Sequence, residues 1–158
     1  MKRLIPVLAL LVSPAAFADT LPQQVGAEAK RLLAQVDGLK TTADARPALK
    51  PAPLSDALVA DLQRFGLSAS RLSIEIDQRG GPTDLRCIFR GMAEETDNQL
   101  KAASASATNA DQSKALGRLS HMLKDAVDIA PAVGDATPAA SPANAKSLSG
   151  SCPVARKY

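Results

Sequence analysis

The sequence predicts an all-α protein, a small bundle of four to five helices that includes a long antiparallel helical hairpin over about residues 83–130. Three observations lead to this prediction. Apolar residues recur at three- and four-residue steps along most of the chain, which places them on one face of successive helices. Pro, Gly and small polar residues are concentrated in short segments between those helices. A single stretch alternates as a strand would, and no second strand is available to pair with it.

The first 18 residues have the features of a signal peptide. Two basic residues precede an apolar run at residues 4–12, and the segment ends in the small-x-small pattern of residues 16–18. The apolar run is too short for a permanent membrane anchor. We therefore expect a mature chain that begins at Asp19, is periplasmic or secreted, and has no stable membrane insertion after cleavage.

Removal of this segment leaves a nearly neutral chain. Two of the 19 Lys and Arg residues lie in it and none of the 16 Asp and Glu residues does, so the expected net charge falls to +1. The aromatic side chains that remain are Phe65, Phe89 and Tyr158. Nucleic-acid-binding surfaces usually combine a basic stripe with stacking aromatic residues, so the composition argues against that class of partner.

The expected helical domain covers residues 19–130 and opens with a helix near Pro22. Gly38-Leu39 resembles a glycine C-terminal cap with its hydrophobic contact, and we expect the first helix to end there. Residues 41–53 contain three prolines and predict a partly extended connector.

Ser55 offers an N-cap for the second helix, and Gly66-Leu67 repeats the glycine stop of the first. Residues 68–79 are ambiguous, because the aliphatic residues of "LSIEI" alternate like those of a strand but also suit a helix. Since an unpaired strand would leave its backbone groups without hydrogen bonds, we predict a short helix.

The hairpin is predicted from the two strongest amphipathic patterns. Thr83 caps its first helix, and Thr108-x-x-Asp111 resembles a capping box at the start of its second helix, which Pro131 ends. Gly91 and Gly117 lie inside these helices, where glycine costs about 1 kcal/mol relative to alanine. Either the two helices cross closely at these glycines, or the glycines are exposed positions without a packing role.

The two cysteines that follow the signal-like segment predict a disulfide. Export would place Cys87 and Cys152 in an oxidising compartment, where an even number of cysteines usually pairs. The bond would tether the low-complexity tail, residues 131–158, beside the start of the hairpin. Free or intermolecular thiols are the alternative. Thiol catalysis by Cys87 with His121 is disfavoured, since the second cysteine would consume the first.

Arg86 and Arg90 are the one pair of residues that suggests a ligand site. They lie one turn apart near a helix N-terminus, where the helix dipole favours anions. Two interpretations stay open. The arginines bind a carboxylate or phosphate together with the N-terminal amides, or they form structural ion pairs, Arg90 with Glu94 and Arg86 with Asp77 or Asp84.

A metal or haem site would have to use His121, Met92 and Met122. The sequence contains no Cys-x-x-Cys-His, His-x-x-x-His or Glu-x-x-His pattern, and both methionines fall on apolar stripes, where core filling is their usual role. We therefore predict no metal, no cofactor and no catalytic residue.

Two functions follow from the sequence as hypotheses. The first is an exported, non-enzymatic binding or interaction module with a protein partner in the cell envelope. Its contact surface would be the region around Arg86, Arg90 and the tail, or the groove between the two hairpin helices. The alternative is a small anion-binding protein or enzyme that uses Arg86 and Arg90.

Overall fold

The computed structural model describes residues 20–135 and Cys152, and within this part of the chain it contains four α-helices and no strand. The prediction of an all-α bundle is confirmed. The helices, numbered in chain order, are α1 (Leu21–Asp44), α2 (Asp56–Gln78), α3 (Thr83–Ser104) and α4 (Asn109–Asp135).

Each helix packs antiparallel to the next, and α4 closes the bundle against α1. Contacts near the two ends of α1 show this closure: Gly26 lies beside Ala130, and Ser113 donates a hydrogen bond to Asp44. The predicted antiparallel hairpin is therefore present as α3 and α4, but its members pack more extensively elsewhere, α3 against α2 and α4 against α1.

The core is built from one apolar stripe of each helix. Phe65 of α2 and Phe89 of α3 are fully buried, and full burial of side chains of this size contributes about 2–3 kcal/mol each. Met92 and Met122 are buried among them, so the prediction that both methionines fill the core is confirmed. Thr96 donates a hydrogen bond to the backbone carbonyl of Met92, which satisfies its hydroxyl inside the core.

The predicted glycine stops at Gly38 and Gly66 are wrong, because α1 and α2 continue through both glycines. Each apolar stripe resumes in phase beyond its glycine, at Ala43 in α1 and at Ala69 in α2, and both of those side chains are buried. The helix therefore gains more from burying this second half of the stripe than the roughly 1 kcal/mol that an internal glycine costs. Residues 68–79 are accordingly helical up to Gln78, as part of α2.

A glycine C-terminal cap does occur in the structure, after the last residue of α2. Gly80 has a φ of 67° and donates its N–H to Asp77, while Gly81 donates to the carbonyl of Ile76. These two bonds form a Schellman motif, which satisfies the last carbonyls of the helix and needs a residue that tolerates positive φ.

The connector between α1 and α2 covers residues 45–55, because α1 extends into the segment predicted to be extended. Its carbonyls accept the first N–H groups of α4: Asn109 donates to Leu49 and Ala110 donates to Pro47, at 2.8 and 3.1 Å. The Gln112 side chain also donates to Ala52. The connector thus satisfies N–H groups that have no partner within the helix.

The ends of the hairpin helices differ in part from the prediction. Pro82, not Thr83, is the N-cap residue of α3. Thr108 accepts the N–H of Asp111 as predicted, but the Asp111 carboxylate takes its hydrogen bond from the Thr108 hydroxyl, so only half of a capping box forms. Pro131 does not end α4, which continues to Asp135. Its ring lies beside Gly26, where an added Cβ would be in ordinary van der Waals contact with it at 3.8 Å.

Of the two interpretations of Gly91 and Gly117, a close crossing of α3 and α4 at these glycines is wrong. A Cβ atom added at Gly91 would meet no atom of the described chain within 4 Å, and one at Gly117 would meet Lys40 of α1 at 3.4 Å. Gly26, beside α4, and Gly66, beside Thr96 of α3, also lie against another helix.

Two aspartates of the bundle have a lowered pKa. Asp44 accepts hydrogen bonds from Lys40 and Ser113, and Asp61 accepts hydrogen bonds from Arg31 and Arg64, so the charged carboxylate is favoured in both cases. The Arg31–Asp61 pair joins α1 to α2 at the surface.

The predicted signal peptide, residues 1–18, and all of the tail after Asp135 except Cys152 lie outside the described residues. Among the helices that are described, none is both long enough and apolar enough to cross a bilayer.

The continuity of α1 through Gly38 generates a first prediction. Gly38→Ala should raise the free energy of unfolding by about 1 kcal/mol, because a Cβ there meets nothing within 4 Å and alanine favours the helix. Gly81→Ala should lower it by about 1–2 kcal/mol, since its Cβ would lie 2.8 Å from Cγ2 of Ile76.

Urea unfolding of the three oxidised proteins measures both changes. A loss of stability in Gly38→Ala would contradict the continuous helix, because it would indicate that Gly38 adopts the positive φ of a cap.

Candidate functional site

The structure contains the predicted disulfide between Cys87 and Cys152, with their Cα atoms 5.4 Å apart. Cys87 lies two residues before the buried Phe89, about 200° around the helix, so the bond is on the side of α3 that faces away from the core. Closing a loop of 65 residues destabilises the unfolded chain by about 4 kcal/mol in the entropy model. The bond is a structural tether between Cys152 and α3.

Arg86 is nine-tenths buried and belongs to the packing of α2 against α3. Its guanidinium donates a hydrogen bond to Asp77 at 2.7 Å, and its backbone carbonyl accepts one from Ser73 at 2.9 Å. Since Ser73 and Asp77 both belong to α2, these contacts fasten the start of α3 to the last turns of α2.

Arg90 lies one turn further along α3 and is exposed. Its Nε donates to Glu94 of the same helix at 3.0 Å, a pair of the kind that contributes only a few tenths of a kcal/mol. The structural interpretation of Arg86 and Arg90 therefore matches the pairs that are present. Anion binding by these two residues stays a prediction, and it would have to compete with Asp77 and Glu94 for them.

The residues considered for a metal are not brought together. His121 is exposed on α4, whereas Met92 and Met122 are buried, and Met122 accepts a hydrogen bond from Thr96 at 3.5 Å. Within residues 20–135 and Cys152, no group of three or more His, Cys, Asp or Glu side chains has the arrangement of a metal site.

Exposed aliphatic side chains mark a surface that the sequence did not suggest. The large apolar residues that remain exposed in the described chain are Leu39, Leu49, Leu67, Ile74 and Ile88. The most exposed two are Leu67, at 62%, and Ile74, at 54%, and both belong to α2. They are seven positions apart, which is about two helical turns or 10.5 Å.

The inward stripe of α2 determines where these two side chains point. Phe65 and Leu72 are buried, and Leu67 and Ile74 each follow one of them by two residues, about 200° around the helix. We call Leu67, Arg71 and Ile74 the α2 outer stripe. Arg71 is exposed and lies four residues after Leu67 and three before Ile74, so all three share one face.

Arg71 is the charged residue of this stripe. The three carboxylates that follow the first turn of α2 are each in an ion pair: Asp61 with Arg31 and Arg64, Glu75 with Arg79, and Asp77 with Arg86. Arg71 has no ion pair with any residue in the part of the chain that the structure describes. The α2 outer stripe is thus a cation between two exposed aliphatic side chains.

Comparison of the chain with models of protein families, with curated proteins and with solved structures finds no significant match in any of the three. The function is therefore argued from the residues of this chain alone.

The α2 outer stripe is not evident from the sequence. Gly66-Leu67 resembles a helix stop, and Leu72, Ile74 and Ile76 alternate as they would in a strand. In one continuous helix this alternation has a different meaning, because Leu72 and Ile76 point inward and Ile74 points outward. Aliphatic residues on opposite faces of a single helix were the available signal.

The Arg86–Asp77 pair generates a second prediction. Asp77→Asn should lower the free energy of unfolding by about 1–2 kcal/mol, because it removes a carboxylate from a guanidinium that is nine-tenths buried. The loss is smaller than for a fully buried pair, since the Asp77 side chain is 57% exposed.

Glu94→Gln is the matched control, because it removes a carboxylate from the exposed Arg90 and should change stability by less than about 0.5 kcal/mol. Equal losses in thermal and urea unfolding of the two variants would contradict the structural role assigned to Arg86.

Proposed function

We propose that the protein is exported to the periplasm or secreted and acts there as a non-enzymatic interaction module, which binds a protein of the cell envelope through the α2 outer stripe. The observation that carries this proposal is the exposure of Leu67 and Ile74 on one face of a helix whose opposite face is fully buried. The signal-like residues 1–18 and a disulfide, which persists in oxidising compartments, support export.

The α2 outer stripe is a better contact surface than the two that the sequence suggested. Where α3 meets α4, Thr96 and Met122 are in contact, and both are buried. Around the start of α3, Arg86 is nine-tenths buried and Arg90 is paired with Glu94. Leu67 and Ile74 instead present most of their apolar area to solvent.

The size of the stripe sets the strength of the expected contact. Burying the exposed halves of Leu67 and Ile74 contributes about 1 kcal/mol each, and an exposed ion pair with Arg71 adds at most about 1 kcal/mol. Association also costs translational and rotational freedom, so a contact limited to this stripe is weak. We therefore expect a reversible complex and not an obligate interface.

The third prediction concerns crosslinking in cells of the source organism. A photoreactive amino acid placed at position 67 or 74 should form an adduct with one and the same protein, because both positions face the same partner. Position 49 is the matched control, since Leu49 is 53% exposed but lies in the connector. Mass spectrometry identifies the adduct, and recovery in the envelope or periplasmic fraction tests export.

Two results would contradict the proposed function. The first is the absence of adducts at positions 67 and 74, and the second is an equal yield of the same adduct at position 49, which would indicate non-specific capture.

A further inference from the structure

The charge of the α2 outer stripe indicates what kind of partner it accepts. Arg71 lies between Leu67 and Ile74, so a surface that covers both aliphatic side chains also meets the Arg71 side chain. The nearest carboxylate along the helix, Glu75, is in an ion pair with Arg79. A partner with no negative charge opposite Arg71 would remove water from a cation without replacing it by an ion pair. A carboxylate of the partner would form that ion pair.

A second copy of this chain does not fit this requirement. In a symmetric contact between two α2 helices that buries Leu67 and Ile74 of both copies, the midpoint of the contact falls at Arg71. The two Arg71 side chains would then meet whether the helices ran parallel or antiparallel, and like charges facing one another are destabilising. The stripe therefore favours a different protein with the opposite charge.

The backbone of α2 restricts the shape of that partner. All N–H and C=O groups in the middle of α2 are bonded within the helix, so the partner binds side chains only and cannot add a strand. A second helix matches the spacing best, because aliphatic residues seven positions apart on it are also about 10.5 Å apart. A residue three or four positions from either aliphatic then lies opposite Arg71.

We propose that the α2 outer stripe binds an acidic amphipathic helix of the partner, with Asp or Glu facing Arg71 and an aliphatic side chain packed against each of Leu67 and Ile74. This inference rests on the proposed function and adds the chemical class of the partner. An anionic membrane surface is less suited to the stripe, since helices that bind membranes carry rows of Lys and Arg and a wide apolar face.

Synthetic helices and the oxidised protein, residues 19–158, test this inference. Three peptides of equal length carry two leucines seven residues apart, with Glu, Gln or Lys between them. NMR titration of the α2 amide signals and the Leu67 and Ile74 methyl signals at low salt, a measurement that detects weak complexes, should give an affinity for the Glu peptide about fivefold higher than for the Lys peptide, with the Gln peptide between them. The preference should shrink as salt is raised, because the pair is exposed.

Charge reversal identifies the residue that is responsible. Arg71→Glu should reverse the order of the peptides. Lys30→Glu, a reversal of an exposed cation on α1, should leave the order unchanged. Leu67→Ser with Ile74→Ser should weaken binding of all three peptides.

Several results would overturn the inference. These are equal affinities for the Glu and Lys peptides, no binding of either peptide, adsorption of the protein to phosphatidylglycerol vesicles that Arg71→Glu abolishes, or a dimer in analytical ultracentrifugation that Leu67→Ser dissociates. If crosslinks at positions 67 and 74 persist while the peptides bind equally, the acidic-helix inference fails and the proposed function stands. If the crosslinks are absent as well, both fail.

Discussion

Burial of the inward stripe of α2 is the interaction on which the rest of the structure depends. Phe65 precedes Gly66 in the sequence and Leu72 follows it, and both side chains are fully buried. The helix therefore has to continue through the glycine to place them in one core. That continuity has a second consequence. It aligns Leu67 and Ile74 on the opposite face, where the bundle leaves them in solvent.

Much of the fold follows from the sequence. Helical periodicity identifies the all-α class, and the antiparallel relation of α3 and α4 follows from their short connection. Helix ends are harder to predict from the sequence. Gly38 and Gly66 each resemble a helix stop, and the helices continue through them only because residues beyond each glycine are buried in the core. The close contacts of Gly26 with α4 are a property of the α1–α4 pairing, which no local pattern in the sequence specifies.

Part of the candidate site can also be predicted from the sequence, and part of it requires the structure. Cysteine count predicts the Cys87–Cys152 bond, since that argument needs only the number and the compartment. Pairing of Arg86 with an aspartate also follows from the sequence, but the structure was needed to choose Asp77 over Asp84, because Asp77 reaches Arg86 across the turn between α2 and α3. The α2 outer stripe could be found only after α2 was known to be one helix, as its members lie on both sides of a predicted boundary. The connector between α1 and α2 bonds to the start of α4, and the disulfide joins Cys152 to the outer side of α3.

The measurement that tests the central claim most directly is the accessibility of the aliphatic methyl groups of α2 to a soluble paramagnetic probe, observed by NMR in the oxidised protein. If one continuous helix presents two apolar faces, the methyl signals of Leu67 and Ile74 broaden strongly while those of Leu62 and Leu72 are protected. Protection of Leu67 and Ile74 to the same degree as Leu72 would contradict the account.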